Sequence, residues 1–96
     1  MYGTVMIGTL KGSLEDLRQV TKAWEAEANA PGYVGEDVLV GDDGSTVVAC
    51  VRFESKERYL ALADNPGQDE WWQTKMQPLF DGEVRWIDGE WELGAR

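Results

Sequence analysis

Three apolar segments constrain the fold of this chain more than any other feature, because they do not alternate with polar residues. They are Val5-Met6-Ile7, Val38-Leu39-Val40 and Val47 to Val51. β-Branched residues favour strands, and a strand with one face in water alternates apolar and polar side chains. The segments therefore predict a sheet that is covered on both faces. A chain of 96 residues builds only one modest core, so the second cover has to come from elsewhere.

The order of the remaining patterns predicts an α+β chain. One helix follows Ser13, with apolar positions at steps of three and four, the stripe of a packed helix. A second follows Ser55 and is interrupted at Asn65-Pro66-Gly67. Strands are predicted at Tyr2–Leu10, Tyr33–Gly41, Thr46–Phe53 and Glu83–Leu93. This β-α-β-β-α-β order is that of the ferredoxin-like fold, a four-stranded antiparallel sheet with both helices on one face, here as a single domain over residues 1–96.

The helices leave the other face of this sheet apolar and open. Four strands ~4.8 Å apart and ~20 Å long make a face of ~400 Å², about the largest apolar patch that a soluble monomer exposes. Covering it is worth up to ~10 kcal/mol per protomer at ~25 cal/mol per Å². We therefore expect a second copy to cover it in an isologous homodimer, the arrangement of a dimeric α/β barrel.

Composition argues against several classes of function. The net charge is −9, whereas nucleic acids and anionic membranes bind basic surfaces. The chain has no histidine and one cysteine, Cys50, and zinc, copper, non-haem iron and globin-type haem sites depend on these residues. We therefore expect no metal, no cofactor, and neither nucleic acid nor membrane as a partner. The first residues lack a basic region and a long apolar run, which predicts a cytoplasmic protein.

Arg52 is the polar residue that fits its predicted strand least well. It shares a face with Val48 and Cys50, opposite to the face that suits helix packing, so it would point into the barrel. There it either pairs with Glu36 or Asp37 across the hairpin or anchors an anionic oxygen of a ligand, since a buried charge needs a partner.

Five further side chains are candidates for lining a pocket for a flat, mostly apolar ligand. Adjacent residues lie ~100° apart on a helix, so Trp71 and Trp72 cannot both face the core. At least one of them lies on a cavity rim or at the dimer interface. Tyr59 and Trp86 would supply stacking surfaces or ordinary core packing. Asn65 would either cap a helix or face the pocket.

Three stretches resemble the antibiotic-biosynthesis-monooxygenase-like family of the dimeric α/β-barrel superfamily. They are Pro31 to Gly35 into the second strand, Val51 to Tyr59 across the end of the third, and Trp72 to Leu79 before the last. The resemblance spans nearly the whole chain. It implies cofactor-independent oxygenation of small aromatic, polyketide or quinol-like molecules. It does not imply haem, since members that handle haem use an iron-binding histidine.

The resemblance also suggests site residues. In the cofactor-independent oxygenases of this family, Asn and Trp side chains line a cavity between helices and sheet. This points to Asn65 and to Trp71 or Trp72 as ligand-binding residues, and it identifies no catalytic residue. A non-catalytic dimer of the same fold, with a ligand-binding, structural or regulatory role, is the alternative.

Overall fold

The computed structural model describes residues 1–94, which form four strands and three helices. The strands are β1 (Tyr2–Thr9), β2 (Tyr33–Val40), β3 (Thr46–Phe53) and β4 (Arg85–Glu90); the helices are α1 (Leu14–Glu27), α2 (Lys56–Ala63) and α3 (Pro66–Trp71). A π-helical turn (Trp72–Met76) and a 3₁₀ turn (Gln77–Leu79) continue α3. None of the helices in this part of the chain is long and apolar enough to cross a membrane. The strands are antiparallel in the order β2-β3-β1-β4, which confirms the predicted ferredoxin-like fold.

Polar side chains cap the start of each helix, where backbone N–H groups lack a partner within the helix. The Ser13 hydroxyl accepts a hydrogen bond from the Asp16 backbone N–H at 3.0 Å, and Ser55 caps α2 in the same way. Asn65 Oδ1 accepts one from the Gly67 backbone N–H at 2.8 Å. Ser and Asn are preferred cap residues, so the helices begin where the sequence predicts.

The core lies between the helices and one face of the sheet, which we call the inner face. Alternate residues of β3 point into it, and Val47, Ala49 and Phe53 are at most 6% exposed. Phe80 is 2% exposed and lies against Gly8 of β1, where a Cβ atom would come within 2.8 Å of the phenyl ring. The missing side chain at Gly8 therefore makes the room that Phe80 occupies.

The opposite face of the sheet carries apolar side chains as predicted. Residues paired across antiparallel strands share a face. Ile7 and Leu39 both pair with Val48, and Val5 pairs with Ile87. Leu39 is 67% exposed and Ile87 is 46% exposed. These five residues define what we call the open face. No helix among residues 1–94 packs on this second apolar surface of the sheet.

Truncation of Phe80 tests the placement of the core. We expect Phe80→Ala to lower the free energy of unfolding by about 3–4 kcal/mol, because it removes buried apolar surface and leaves a void. Urea denaturation followed by circular dichroism measures this change. Leu93→Ala, at a side chain that is 64% exposed, is the control and should shift the free energy by less than about 0.5 kcal/mol. Equal effects of the two substitutions would contradict the core assignment.

Candidate functional site

A cavity of about 460 Å³ lies between the inner face and the helices. Its volume is in the range of small-molecule sites. Each of the four strands contributes to its wall, together with α1, α2, α3 and the π-helical turn. Six of its lining side chains are aromatic: Trp24, Tyr33, Tyr59, Trp71, Trp72 and Trp86. A wall of this kind fits a flat, apolar molecule.

The rings of the wall are tilted against one another. The Trp24 ring centroid lies 5.1 Å from that of Tyr33 and 6.2 Å from that of Trp71, at interplanar angles of 78° and 48°. The Trp72 and Trp86 centroids lie 4.8 Å apart at 65°. Aromatic pairs prefer such edge-to-face geometry because their faces are electron-rich and their edges electron-poor. The wall is therefore a set of ring edges and faces at different angles.

Two glutamines fix the orientation of two indoles. The Trp24 Nε1–H donates to Gln68 Oε1 at 3.0 Å, and the Trp72 Nε1–H donates to Gln77 Oε1 at 3.3 Å. Gln77 Nε2 in turn donates to the Gly82 carbonyl at 2.8 Å, which ties the start of the 3₁₀ turn to the segment before β4. Hydrogen bonds as well as packing therefore hold the wall in place.

The two adjacent tryptophans reach different sides of the cavity. Trp71 packs toward Trp24 of α1, whereas Trp72 begins the π-helical turn and packs against Trp86 of β4. Both are partly buried, and both line the cavity. Single π-helical turns are frequent at functional sites, and this one carries the second ring of the pair.

Tyr59 places a neutral hydroxyl at the wall. Its hydroxyl donates a hydrogen bond to Asp88 Oδ1 at 2.9 Å. Burial, and then the hydrogen bond to Asp88, raise the pKa of Tyr59 to about 12, because both oppose the charged form of the phenol. Tyr59 is therefore a fixed hydrogen-bond donor at neutral pH.

Glu36 is the cavity residue that sequence reasoning missed as such. It pairs with Val51 of β3, which puts its side chain on the inner face and into the cavity lining. Burial raises the pKa of its carboxyl, and the charges of Glu25 and Asp37 raise it further. Within residues 1–94 it forms no salt bridge. A carboxylate of raised basicity, with no basic partner, thus faces the space that a ligand would fill.

A β-bulge in β2 decides which carboxylate reaches the cavity. The register shifts by one residue at Val34, so that Gly35 rather than Val34 pairs with Arg52. A shift of one residue exchanges the faces of every side chain beyond it. As a result Glu36 points to the inner face and Asp37 to the opposite face.

Arg52 and Asn65 are not among the residues that line this cavity. Arg52 alternates with the inward-facing residues of β3 and therefore lies on the opposite face. Its Nη1 is 2.8 Å from Asp37 Oδ2, and its guanidinium lies 5.0 Å from the Trp91 ring centroid. The cross-hairpin ion pair is thus the alternative that the structure contains. The Asn65 side chain caps α3 by accepting a hydrogen bond from the Gly67 backbone N–H.

Four predicted side chains do come together at the cavity, namely Tyr59, Trp71, Trp72 and Trp86. Besides Glu36, the sequence did not single out Trp24 and Tyr33. Trp24 belongs to the apolar stripe of α1, and Tyr33 begins a strand, so both have the pattern of ordinary core residues. Their contribution to a cavity depends on how the helices sit on the sheet.

Comparisons with known proteins give a result at the level of structure. No protein-family model and no curated protein matches the chain. The chain is similar to SnoaB, a cofactor-independent oxygenase from Streptomyces nogalater, with 19% identity over 98% of this chain and 97% of that chain and a TM-score of 0.73. It is also similar to the ActVA-Orf6 monooxygenase of Streptomyces coelicolor in complex with Nanaomycin D, with 15% identity over 99% and 90% of the two chains and a TM-score of 0.74.

A third structure belongs to a candidate antibiotic biosynthesis monooxygenase from Deinococcus radiodurans. It shares 15% identity with this chain over 97% of this chain and 96% of its own, with a TM-score of 0.66. At identities this low, the similarity concerns the fold. The chain therefore has the ferredoxin-like fold of antibiotic biosynthesis monooxygenase-like proteins, as its sequence resemblance predicts.

Proposed function

We propose that this protein binds a small, flat, phenol-like molecule in the cavity and oxygenates it with O₂ and no cofactor. The observation that carries the proposal is the presence in one cavity wall of six aromatic rings and the carboxylate of Glu36, which forms no salt bridge within residues 1–94. The shared fold supports it, because SnoaB is a cofactor-independent oxygenase and the ActVA-Orf6 protein is a monooxygenase.

The chemistry needs only the substrate and O₂. Glu36 accepts the proton of the phenol, and the electron-rich ring then passes electrons to O₂ from the carbon para to its oxygen. A carbon–oxygen bond forms there, and the resulting hydroperoxide loses water to leave a para-quinone. One phenol and one O₂ thus give one quinone and one water, with all four electrons coming from the substrate.

The alternative is a protein of the same fold that binds an aromatic ligand without turnover. The same cavity would serve it, and Glu36 would then contribute to recognition rather than to proton transfer. Oxygen consumption separates the two functions, because only the first uses O₂.

Replacement of Glu36 by glutamine tests its role as the proton acceptor. We expect oxygen uptake with a naphthol to fall about 100-fold or more in Glu36→Gln, the usual cost of losing a general base. Tryptophan fluorescence quenching by the naphthol should still saturate, since the aromatic wall is intact. Glu57→Gln, at an exposed position of α2, is the control and should behave as the unchanged protein. Saturable quenching without oxygen uptake in the unchanged protein would leave the ligand-binding alternative.

The pH dependence of turnover should follow the carboxyl group of Glu36. Only the deprotonated carboxylate accepts a proton, so oxygen uptake is complete above its pKa and is lost as the pH falls through it. Burial raises this pKa, so the acid limb of kcat/KM should lie above the ordinary value of 4.5. An acid limb at or below that value would assign the titration to another group.

We further propose that the active form is a homodimer closed through the open face. The accessible surface of the chain is 6379 Å², whereas a monomeric protein of 10.8 kDa exposes about 5,500 Å². The difference is close to the roughly 800 Å² that each partner buries in a standard interface. The exposed apolar side chains of Leu39 and Ile87 lie on this face, and an isologous contact between two copies would bury them.

A charge on the open face should dissociate this dimer. Leu39→Asp introduces a carboxylate at a side chain that is 67% exposed in the single chain, so it disturbs the dimer more than the protomer fold. Sedimentation at micromolar concentration should give twice the 10.8 kDa chain mass for the unchanged protein and the chain mass for the variant. Ala61→Asp, at an exposed position of α2, should remain dimeric. A monomeric unchanged protein would contradict the proposed dimer.

A further inference from the structure

Among residues 1–94, the side chains that line the cavity include acidic residues and no basic residue. The carboxylates of Glu36, Asp69 and Glu83 belong to its lining, and none of the nineteen described lining residues is a lysine or an arginine. Arg52, the expected anchor for an anionic oxygen, is held by Asp37 on the opposite face of the sheet. The site therefore offers no partner charge to an anionic ligand.

Tyr33 indicates how the cavity wall changes the pKa of a phenol. Its ring belongs to the lining, and burial, followed by the charge of Glu36, then Glu25, then Asp37, raises its pKa to about 12. Burial and the same carboxylates should also raise the pKa of a phenolic ligand that binds beside them. A neutral phenol therefore gives up its proton in this site less readily than a phenol that also carries a positive charge.

A positive charge on the ligand counteracts this effect of the carboxylates on the pKa of its phenol. A cation is attracted to the face of an aromatic ring within ~6 Å of its centroid, most strongly to tryptophan. The Trp24 ring packs against both Tyr33 and Trp71 at tilted angles, and Glu36 lies on the same face of β2 as Tyr33. The cation also lowers the pKa of a phenol on the same molecule, because it stabilises the phenolate.

We propose that the ligand of this cavity is an aromatic molecule with an ammonium group, which lies against Trp24, Tyr33 and Trp71 with Glu36 as its counter-charge. The apolar body of the ligand packs against Trp72 and Trp86. This inference deepens the proposed function and rests on it, because the same cavity has to bind the aromatic body. It sets the sign of the ligand's charge, which is opposite to the one that Arg52 would have selected.

Three phenols of similar shape and different charge test the inference. They are meta-hydroxyphenyltrimethylammonium, the neutral meta-tert-butylphenol and the anionic meta-hydroxybenzenesulfonate. Their dissociation constants are measured by tryptophan fluorescence at physiological salt, which screens attraction to the net charge of the surface. We expect the ammonium compound to bind about tenfold tighter than the tert-butyl compound, and the sulfonate to bind more weakly than either.

Substitution of Glu36 tests whether the preference for the ammonium compound over the tert-butyl compound arises in the cavity. In Glu36→Gln the ratio between the ammonium and tert-butyl compounds should fall several-fold, whereas Glu57→Gln removes the same charge from an exposed site on α2 and should keep the ratio. Circular dichroism checks that both variants are folded. Equal binding of the two compounds, or a preference that is unchanged in Glu36→Gln, overturns this inference. The cavity would then bind aromatic molecules without a charge preference set by Glu36. If none of the three compounds binds, the proposed function fails together with the inference.

Discussion

The pairing of β2 with β3 is the interaction on which the character of the site depends. A single extra residue at Val34 shifts the register of β2 and thereby turns Glu36 inward and Asp37 outward. Without it, Glu36 would lie on the opposite face near Arg52, and Asp37 would take its place on the inner face. The bulge places Asp37 on the same face as Arg52, where the two side chains pair at 2.8 Å, while the face of Arg52 itself follows from the alternation of β3. The identity of the β2 carboxylate in the cavity wall thus follows from one backbone irregularity.

The sequence predicts the element order, the helix caps at Ser13, Ser55 and Asn65, and the two apolar faces of the sheet. These features depend on local propensity and on the period of apolar residues, which a single sequence contains. Alternation alone does not predict the inward position of Glu36, because it assigns faces only while the register is unbroken. The signal that could have marked the break is Gly35, directly after Val34, since an isolated glycine within a strand pattern suggests a bulge.

The aromatic wall was predicted in part for a similar reason. Tyr59, Trp71, Trp72 and Trp86 stand out because tryptophans are numerous and two are adjacent, whereas Trp24 has the spacing of a core residue. Whether a partly buried ring packs against a neighbour or borders a space is decided by the distance between helix and sheet. That distance depends on tertiary contacts such as Phe80 against Gly8, which no short window of sequence contains.

The hydrogen bonds from Trp24 to Gln68 and from Trp72 to Gln77 have a consequence for how the site responds to its surroundings. Primary amides and indoles do not change protonation at any pH that a folded protein meets. These two hydrogen bonds therefore keep the Trp24 and Trp72 rings in one orientation while the charge of Glu36 varies beside them. At these two rings, orientation and charge are set by separate groups, and acidity can change the affinity of the cavity without moving them.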